Sequence, residues 1–290
     1  MTRSVAAIGA LAFLVLVLSA CTGGETAQPA GQIGHVSNRT GLVGIWVMEA
    51  DGSQPSRLAD GLFPDWSPDG REVVFTLGTG DGNLDLFIMS SDGTKNRRIT
   101  DDPANDAHGA WSPDGQRIAF ASDPGGNQDI YVIKPDGSGL TRLTTTEAAD
   151  LTPAWSPDGS QIVFDSFRDD NHDIYVMNLD GSDQIRLTTD REVDANPDWS
   201  PDGGKIVFDS FRTGTAQIYV MDSDGSDLHQ LTFGDNHSFA RVWSPDGDWI
   251  AFNRSFENDQ EIILVRADGS REIRLTHSPD QETVYAWLAD

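Results

Sequence analysis

Trp-Ser-Pro-Asp-Gly is written five times, beginning at Trp66, Trp111, Trp155, Trp199 and Trp243. Successive tryptophans stand 45, 44, 44 and 44 residues apart. A sixth copy starts 44 residues further on, at Trp287, and runs out as Leu288-Ala289-Asp290. One repeat of this length cannot bury a hydrophobic face by itself, so neighbours must stack. A period of about 40–45 residues with strand-like content specifies blades around an axis. The expected fold is therefore all-β, a six-bladed β-propeller.

The copy from Pro153 to Thr188 shows how one blade is written. Pro153-Ala154-Trp155-Ser156 reads as a short strand, here strand A. Pro157-Asp158-Gly159 is a tight turn: proline presets φ, aspartate accepts the bridge region and glycine closes it. Gln161 to Asp165 is strand B, rich in β-branched and aromatic residues, and Asp173 to Met177 is strand C. Asp180-Gly181-Ser182 is a hairpin turn, and Ile185 to Thr188 is strand D, the outer edge. Strand C recurs six times. Strand B recurs in five full copies, plus Ile33 to Ser37 near the start. The domain thus begins with strand B and ends with strand A. Pairing of the segment around Trp287 with Ile33 to Ser37 is expected to complete one blade and close the ring, which leaves no open edge. The recurrent Trp, Phe and Tyr positions are assigned to packing between blades.

The N-terminus precedes this array. Arg3 and the apolar run Val5 to Ala20 have the build of a signal peptide and are short for a membrane span of about 20 residues. Leu18-Ser19-Ala20-Cys21 resembles a bacterial lipobox, and Cys21 is the only cysteine. The expected organisation is a lipoprotein signal over 1–20, a lipid on Cys21, a flexible tether over 21–31 and a propeller over 32–290. The net charge is −26, with 20 basic against 46 acidic residues and no basic run. Phosphate neutralisation is out of reach, so nucleic acid is excluded as a partner. Such a surface also repels bare anionic membrane and leaves a lipid as the anchor. An exported protein held at the cell envelope is expected.

The full repeat (Trp-Ser-Pro-Asp-Gly, an apolar strand, Ile-Tyr-Val-Met, Asp-Gly-Ser, Arg-Leu-Thr) resembles the TolB-type propellers, also called WD40-like or PD40 repeats. The resemblance runs from about Gln32 to Asp290. The Gly-His and Trp-Asp pairs of true WD40 repeats are missing. TolB carries an α/β domain ahead of its propeller, and the stretch between Cys21 and Ile33 has no room for one. Its role in the Tol–Pal system is therefore not carried over. Related repeats form the propeller of prolyl-oligopeptidase-type peptidases, but no hydrolase domain is expected after Asp290.

No nucleophile elbow, phosphate loop or dinucleotide turn is present. The histidines are His35, His108, His172, His229, His237 and His277, at different repeat positions and without zinc-motif spacing. His35 takes the slot held by Phe164 in its own blade and is expected in the core. Oligogalacturonate lyases, which resemble this repeat class, place a His-bound metal at the channel mouth. That resemblance implies His108 and His237 as an alternative metal site. The Asp-rich turn from Asp222 to Asp227 lacks the terminal Glu of a calcium loop and reads as a plain hairpin.

The repeats differ chiefly in their D–A and B–C connections, which share one face of a propeller, and binding usually sits on the diversified loops. Asp106, Asp150 and Asp194 stand five residues before their tryptophans, with Gly61, Ser238 and Glu282 in the same slot elsewhere. These carboxylates are expected at the channel mouth. The alternative is capping of backbone N–H groups. On the B–C side Arg39, Arg168 and Arg212 share a slot held elsewhere by Thr79, Pro124 and Phe256; Arg168 and Arg212 could also pair with acidic neighbours such as Asp169. His108, Asn196, Arg241 and Tyr285 complete the candidate binding set. The expectation is a non-enzymatic scaffold for a protein, peptide or glycan partner. It needs no cofactor, with a divalent cation at the mouth as a lesser alternative. The competing reading is an enzyme with a metal-assisted or carboxylate site acting on a polysaccharide or small metabolite.

Overall fold

Each Ser-Pro-Asp-Gly turn is closed by its own side chains. Ser67 Oγ donates to Asp69 Oδ1 at 2.7 Å and accepts the Glu72 N–H at 2.9 Å, while Asp69 Oδ1 also accepts the Arg71 N–H at 3.1 Å. The same bonds recur at Ser112, Ser156, Ser200 and Ser244. Gly70 closes the turn at φ 68°, in the left-handed region that favours glycine. The motif is thus a self-contained corner between strands A and B.

The computed structural model describes residues 28–80, 82–257 and 259–289, apart from the side chains of Ala240 and Arg241. The signal peptide, Cys21 and most of the tether lie outside the described residues. Within them the strands form six four-stranded sheets. Blade 1 is Leu62–Trp66, Glu72–Gly78, Leu84–Ser90 and Arg97–Arg98. Blade 2 is Asp106–Trp111, Ile118–Ser122, Asp129–Ile133 and Thr141–Arg142. Blade 3 is Asp150–Trp155, Gln161–Ser166, Asp173–Asn178 and Ile185–Arg186. Blade 4 is Asp194–Trp199, Lys205–Ser210, Gln217–Asp222 and His229–Gln230. Blade 5 is Ser238–Trp243, Trp249–Ser255, Gln260–Arg266 and Glu272–Arg274. Blade 6 takes its inner strand, Glu282–Leu288, from the end of the chain. Its other strands, Gln32–Ser37, Gly44–Glu49 and Ser56–Asp60, come from the start. The closing register sets Ile33 opposite Trp287 and Ser37 opposite Glu282, as the incomplete repeats at the two ends require.

The tryptophans wedge neighbouring blades together. Trp111 packs with Val74 and Leu86 of blade 1 and with Ile118 and Phe120 of its own blade. At the closing blade, Gly34 makes room for the Trp66 ring, where a Cβ would meet a ring carbon at 2.3 Å. Burying such a side chain is worth several kcal/mol, about 3–5 when it is truncated to alanine.

A second, polar repeat runs beside the aromatic one. Arg98, Arg142, Arg186 and Arg274 of strand D donate to Asp85, Asp129, Asp173 and Glu261 at the head of strand C, at 2.6–2.9 Å. In blade 4 both partners change together. Gln217 and Gln230 replace the pair, and Thr232 Oγ1 donates to Gln217 Oε1 at 2.8 Å. A lone charge at a buried head position would be costly, and the double change avoids it.

Candidate functional site

The inner strands are not regular. In blades 1 to 4 the ladder between strands A and B slips between Leu62 and Asp65, Ala107 and Ala110, Leu151 and Ala154, and Ala195 and Asp198. Each slip is a bulge with a non-glycine residue at positive φ: Phe63 at 50°, His108 at 58°, Thr152 at 44° and Asn196 at 53°. Such backbone costs about 1–3 kcal/mol per residue and re-aims the side chain. These four side chains and Tyr285, from the slip in blade 6, line a central channel of about 680 Å³.

Inner-strand backbone groups without a ladder partner, at the bulges and along the open inner edge, find acceptors on the preceding blade. Asp165 of blade 3 accepts the Asn196 N–H of blade 4 at 3.3 Å and the Thr152 hydroxyl. Asn253 of blade 5 accepts the Val284 N–H of blade 6 at 2.9 Å. Asp65 of blade 1 accepts the Trp111 N–H of blade 2 at 2.7 Å. Asn196 Nδ2 donates to Asp209 at 2.8 Å. His172 Nδ1 lies 3.0 Å from Asp165 Oδ2, a bond that raises its pKa.

The wall chemistry differs from blade to blade. His108 lies over Phe63 with ring centroids 4.0 Å apart, and Tyr285 meets Phe63 edge-on at 5.6 Å. Burial pushes His108 down to about 4, so it is a neutral imidazole at physiological pH, and burial pushes the Tyr285 phenol up. Below them lie Asp65 and Asp198, three blades apart in a ring of six and so on opposite sides of the channel. Burial, opposed by the Trp111 hydrogen bond and reinforced by the charge of Asp198, raises Asp65 to about 7.

The expected carboxylates are elsewhere. Asp106, Asp150, Asp194 and Glu282 are at most 1% exposed and sit inside their blades rather than on the channel wall. The arginine slot explains why. Arg168 Nη2 donates to both oxygens of Asp150 at 3.3 Å, and Arg212 Nη2 to both of Asp194 at 2.9 Å. Arg39 Nη2 donates to Glu282 at 2.7 Å. Asp169 is engaged by Arg186 instead, at 3.6 Å. The two columns that looked separate in the sequence form one ion pair in each of blades 3, 4 and 6. His35 is buried as expected, though beside charge, 3.2 Å from Glu282.

His108, Asn196 and Tyr285 are on the wall, and Arg241 lies in the inner strand of blade 5 with its side chain outside the description. His237 is not brought to His108: its Nδ1 accepts the Ala216 N–H at 3.0 Å, and its ring faces Phe211. Among the described residues no three His, Cys, Asp or Glu side chains are grouped to hold a metal ion. Sequence reasoning missed Phe63, Thr152, Asp65 and Asp198. A signal was present: Pro64, Gly109, Pro153 and Pro197 all stand two residues before their tryptophan, and Pro or Gly inside a strand marks an edge or a bulge.

The family described as TolB beta propeller domain, PD40, matches residues 61–152 and 146–287. The chain belongs to this family. The structure of TolB from Acinetobacter baumannii superposes with a TM-score of 0.78 at 20% identity, over 89% of this chain and 66% of that one. A putative TolB from Agrobacterium tumefaciens gives 0.68 at 23%, over 91% of this chain and 100% of that one. At these identities the likeness is one of fold. Among curated proteins, the uncharacterized peptidase YuxL of Bacillus subtilis is 38% identical over 81 residues, 26% of this chain and 12% of its own length. The chain thus spans about a tenth of that relative.

Proposed function

We propose that this propeller is a non-enzymatic binding protein of the cell envelope. It holds a protein or peptide partner on the face of the D–A and B–C loops, with part of the partner entering the channel. One observation carries the reading. An otherwise repetitive ring spends backbone strain at Phe63, His108, Thr152 and Asn196 to aim four different side chains into one channel. Strain kept at corresponding positions of successive blades, each with different chemistry, suits recognition of an asymmetric ligand. Aromatic, amide, hydroxyl and carboxylate groups in one narrow channel match the side chains and backbone of a polypeptide. The apolar run ending at Cys21 supports an exported, lipid-anchored protein.

The test is a photo-crosslinking amino acid placed at Phe63 or Asn196, with Asp136 in a C–D turn of the other face as the control. Envelope protein adducts should form from the first two positions and not from the third. Adducts from Asp136 alone, or turnover of envelope polysaccharide by the purified chain, would overturn the reading.

A further inference from the structure

Blades 2, 3 and 4 have B–C loops of equal length, so their slots correspond residue by residue. In blade 4 the Arg212 guanidinium lies in a formed receptor. Its Nη2 meets Asp194, its Nε donates to Ser210 Oγ at 2.7 Å, and its carbon lies 4.7 Å from the centre of the Tyr219 ring. Arg168 in blade 3 sits on Asp150 and 4.5 Å from the centre of the Tyr175 ring. Blade 2 repeats the receptor with Asp106, Ser122 and Tyr131, yet holds Pro124 where the arginine should be. Both Asp106 oxygens are buried without a hydrogen-bond partner, and the residue is 1% exposed. The hydroxyls of Ser122 and Thr100 come near enough to temper its pKa, but burial still raises it to about 6. Blade 1 shows the other solution, with Gly61 and Thr79 in the two slots and neither charge present.

The geometry points to a guanidinium-binding site in blade 2: Asp106, Ser122 and Tyr131 receive an arginine side chain from the partner, in the position that Arg168 and Arg212 fill from within the chain. An arginine suits it better than a lysine. A planar guanidinium engages both carboxylate oxygens and stacks on a ring, which an ammonium cannot do together. The loop over the site bears exposed Pro124, Gly125 and Gly126, and neither glycine has a neighbour within 4 Å of an added Cβ, so the cover is thin. Asn105 latches it by donating to Asp123 from both its N–H and its side-chain amide, at 2.6 and 3.0 Å. The far end of the loop is held by Asn127, whose Nδ2 donates to the Thr146 and Ala148 carbonyls at 3.1 and 2.9 Å, so entry requires the Asp123 end to open while the strands of the blade stay in place. This site deepens the binding function proposed above and rests on it.

The probe is N-acetyl-arginine amide, titrated calorimetrically into the purified full chain, with the citrulline and lysine amides for comparison. Wild type should bind the arginine compound at least about tenfold tighter than either comparison. Asp106→Asn should abolish this binding. Pro124→Arg should also abolish it while raising the Tm, because the slot is then filled from within. Arg168→Ala should create a second site and regain lost Tm on adding the probe. The proposal is overturned if wild type takes no arginine amide, if binding survives Asp106→Asn, or if Pro124→Arg leaves it unchanged. Adducts from Phe63 and Asn196 that persist beside a failed titration would remove this site and leave the broader function standing.

Discussion

Asp158, in the turn at the end of the blade 3 inner strand, and Asp65, on the channel wall, are one side chain under opposite pressures. Asp158 accepts hydrogen bonds from the Ser156 hydroxyl and from the N–H and hydroxyl of Ser160, in that order of effect, and its pKa is lowered. Asp69, Asp114 and Asp202 are lowered in the same way, each with its turn serine as the main cause. Asp65 has the Trp111 N–H, little solvent and a facing carboxylate, and it is raised to about 7. His108 and Tyr285 on the same wall are also driven toward their neutral forms. The turn face uses charge to fix geometry where water can solvate it. The channel keeps ionisable groups where solvation is poor, which stability alone would not favour.

The largest test removes the wall itself. Deleting residues 282–289 takes away the inner strand of blade 6 and its pairing with Gln32–Ser37. Loss of cooperative thermal unfolding, or self-association through the bared edge, is expected in calorimetry and light scattering. A monomer melting at the parent temperature would mean that closure contributes little.

Next, Asp194→Ala leaves Arg212 unpaired in a mostly buried site, with only 16% of its side chain exposed. Denaturant unfolding should show a loss of about 3 kcal/mol. A loss below about 1 kcal/mol would place these pairs with ordinary surface bridges.

Asp65→Asn should act in the opposite direction. In the unfolded chain Asp65 ionises near 3.8, and in the fold near 7. Its stabilising contribution is therefore full below pH 4 and is lost as pH rises to 7. Asparagine can keep the Trp111 bond without that loss. The stability difference between variant and wild type should grow from pH 4 to pH 8, by up to about 4 kcal/mol. His108 works the other way, since its contribution is lost as pH falls from about 6.5 to 4, so the difference between the two proteins is the reading to use. A flat difference would show that Asp65 is solvated.

The smallest effect belongs to the turn. Asp158→Asn weakens hydrogen bonds that favour the charged form, so the Tm should drop slightly at pH 7. The gap to wild type should close as pH falls through the lowered carboxylate pKa. A gap that widens in acid would contradict that assignment.

How much could be read in advance follows from the range of the interactions. The Ser-Pro-Asp-Gly corner is made by residues within five positions of one another, so its sequence and its structure are nearly the same statement. Repeating it at a fixed interval settles the blade count. The missing strand B partner at Ile33 and the spare strand A at Trp287 settle how the ring closes. The site was legible only in fragments. Asp150 and Arg168 stood in separate columns, 18 residues apart, and become one ion pair because the sheet brings the head of strand A beside the loop after strand B. Phe63 and Thr152 face the channel because a bulge turned them there, marked in the sequence only by the neighbouring Pro64 and Pro153, and Asp65 and Asp198 face each other only once six blades close a circle. Local hydrogen bonds are written in order along the chain. Burial, and the pKa of a carboxylate on a channel wall, depend on what arrives from elsewhere in the fold.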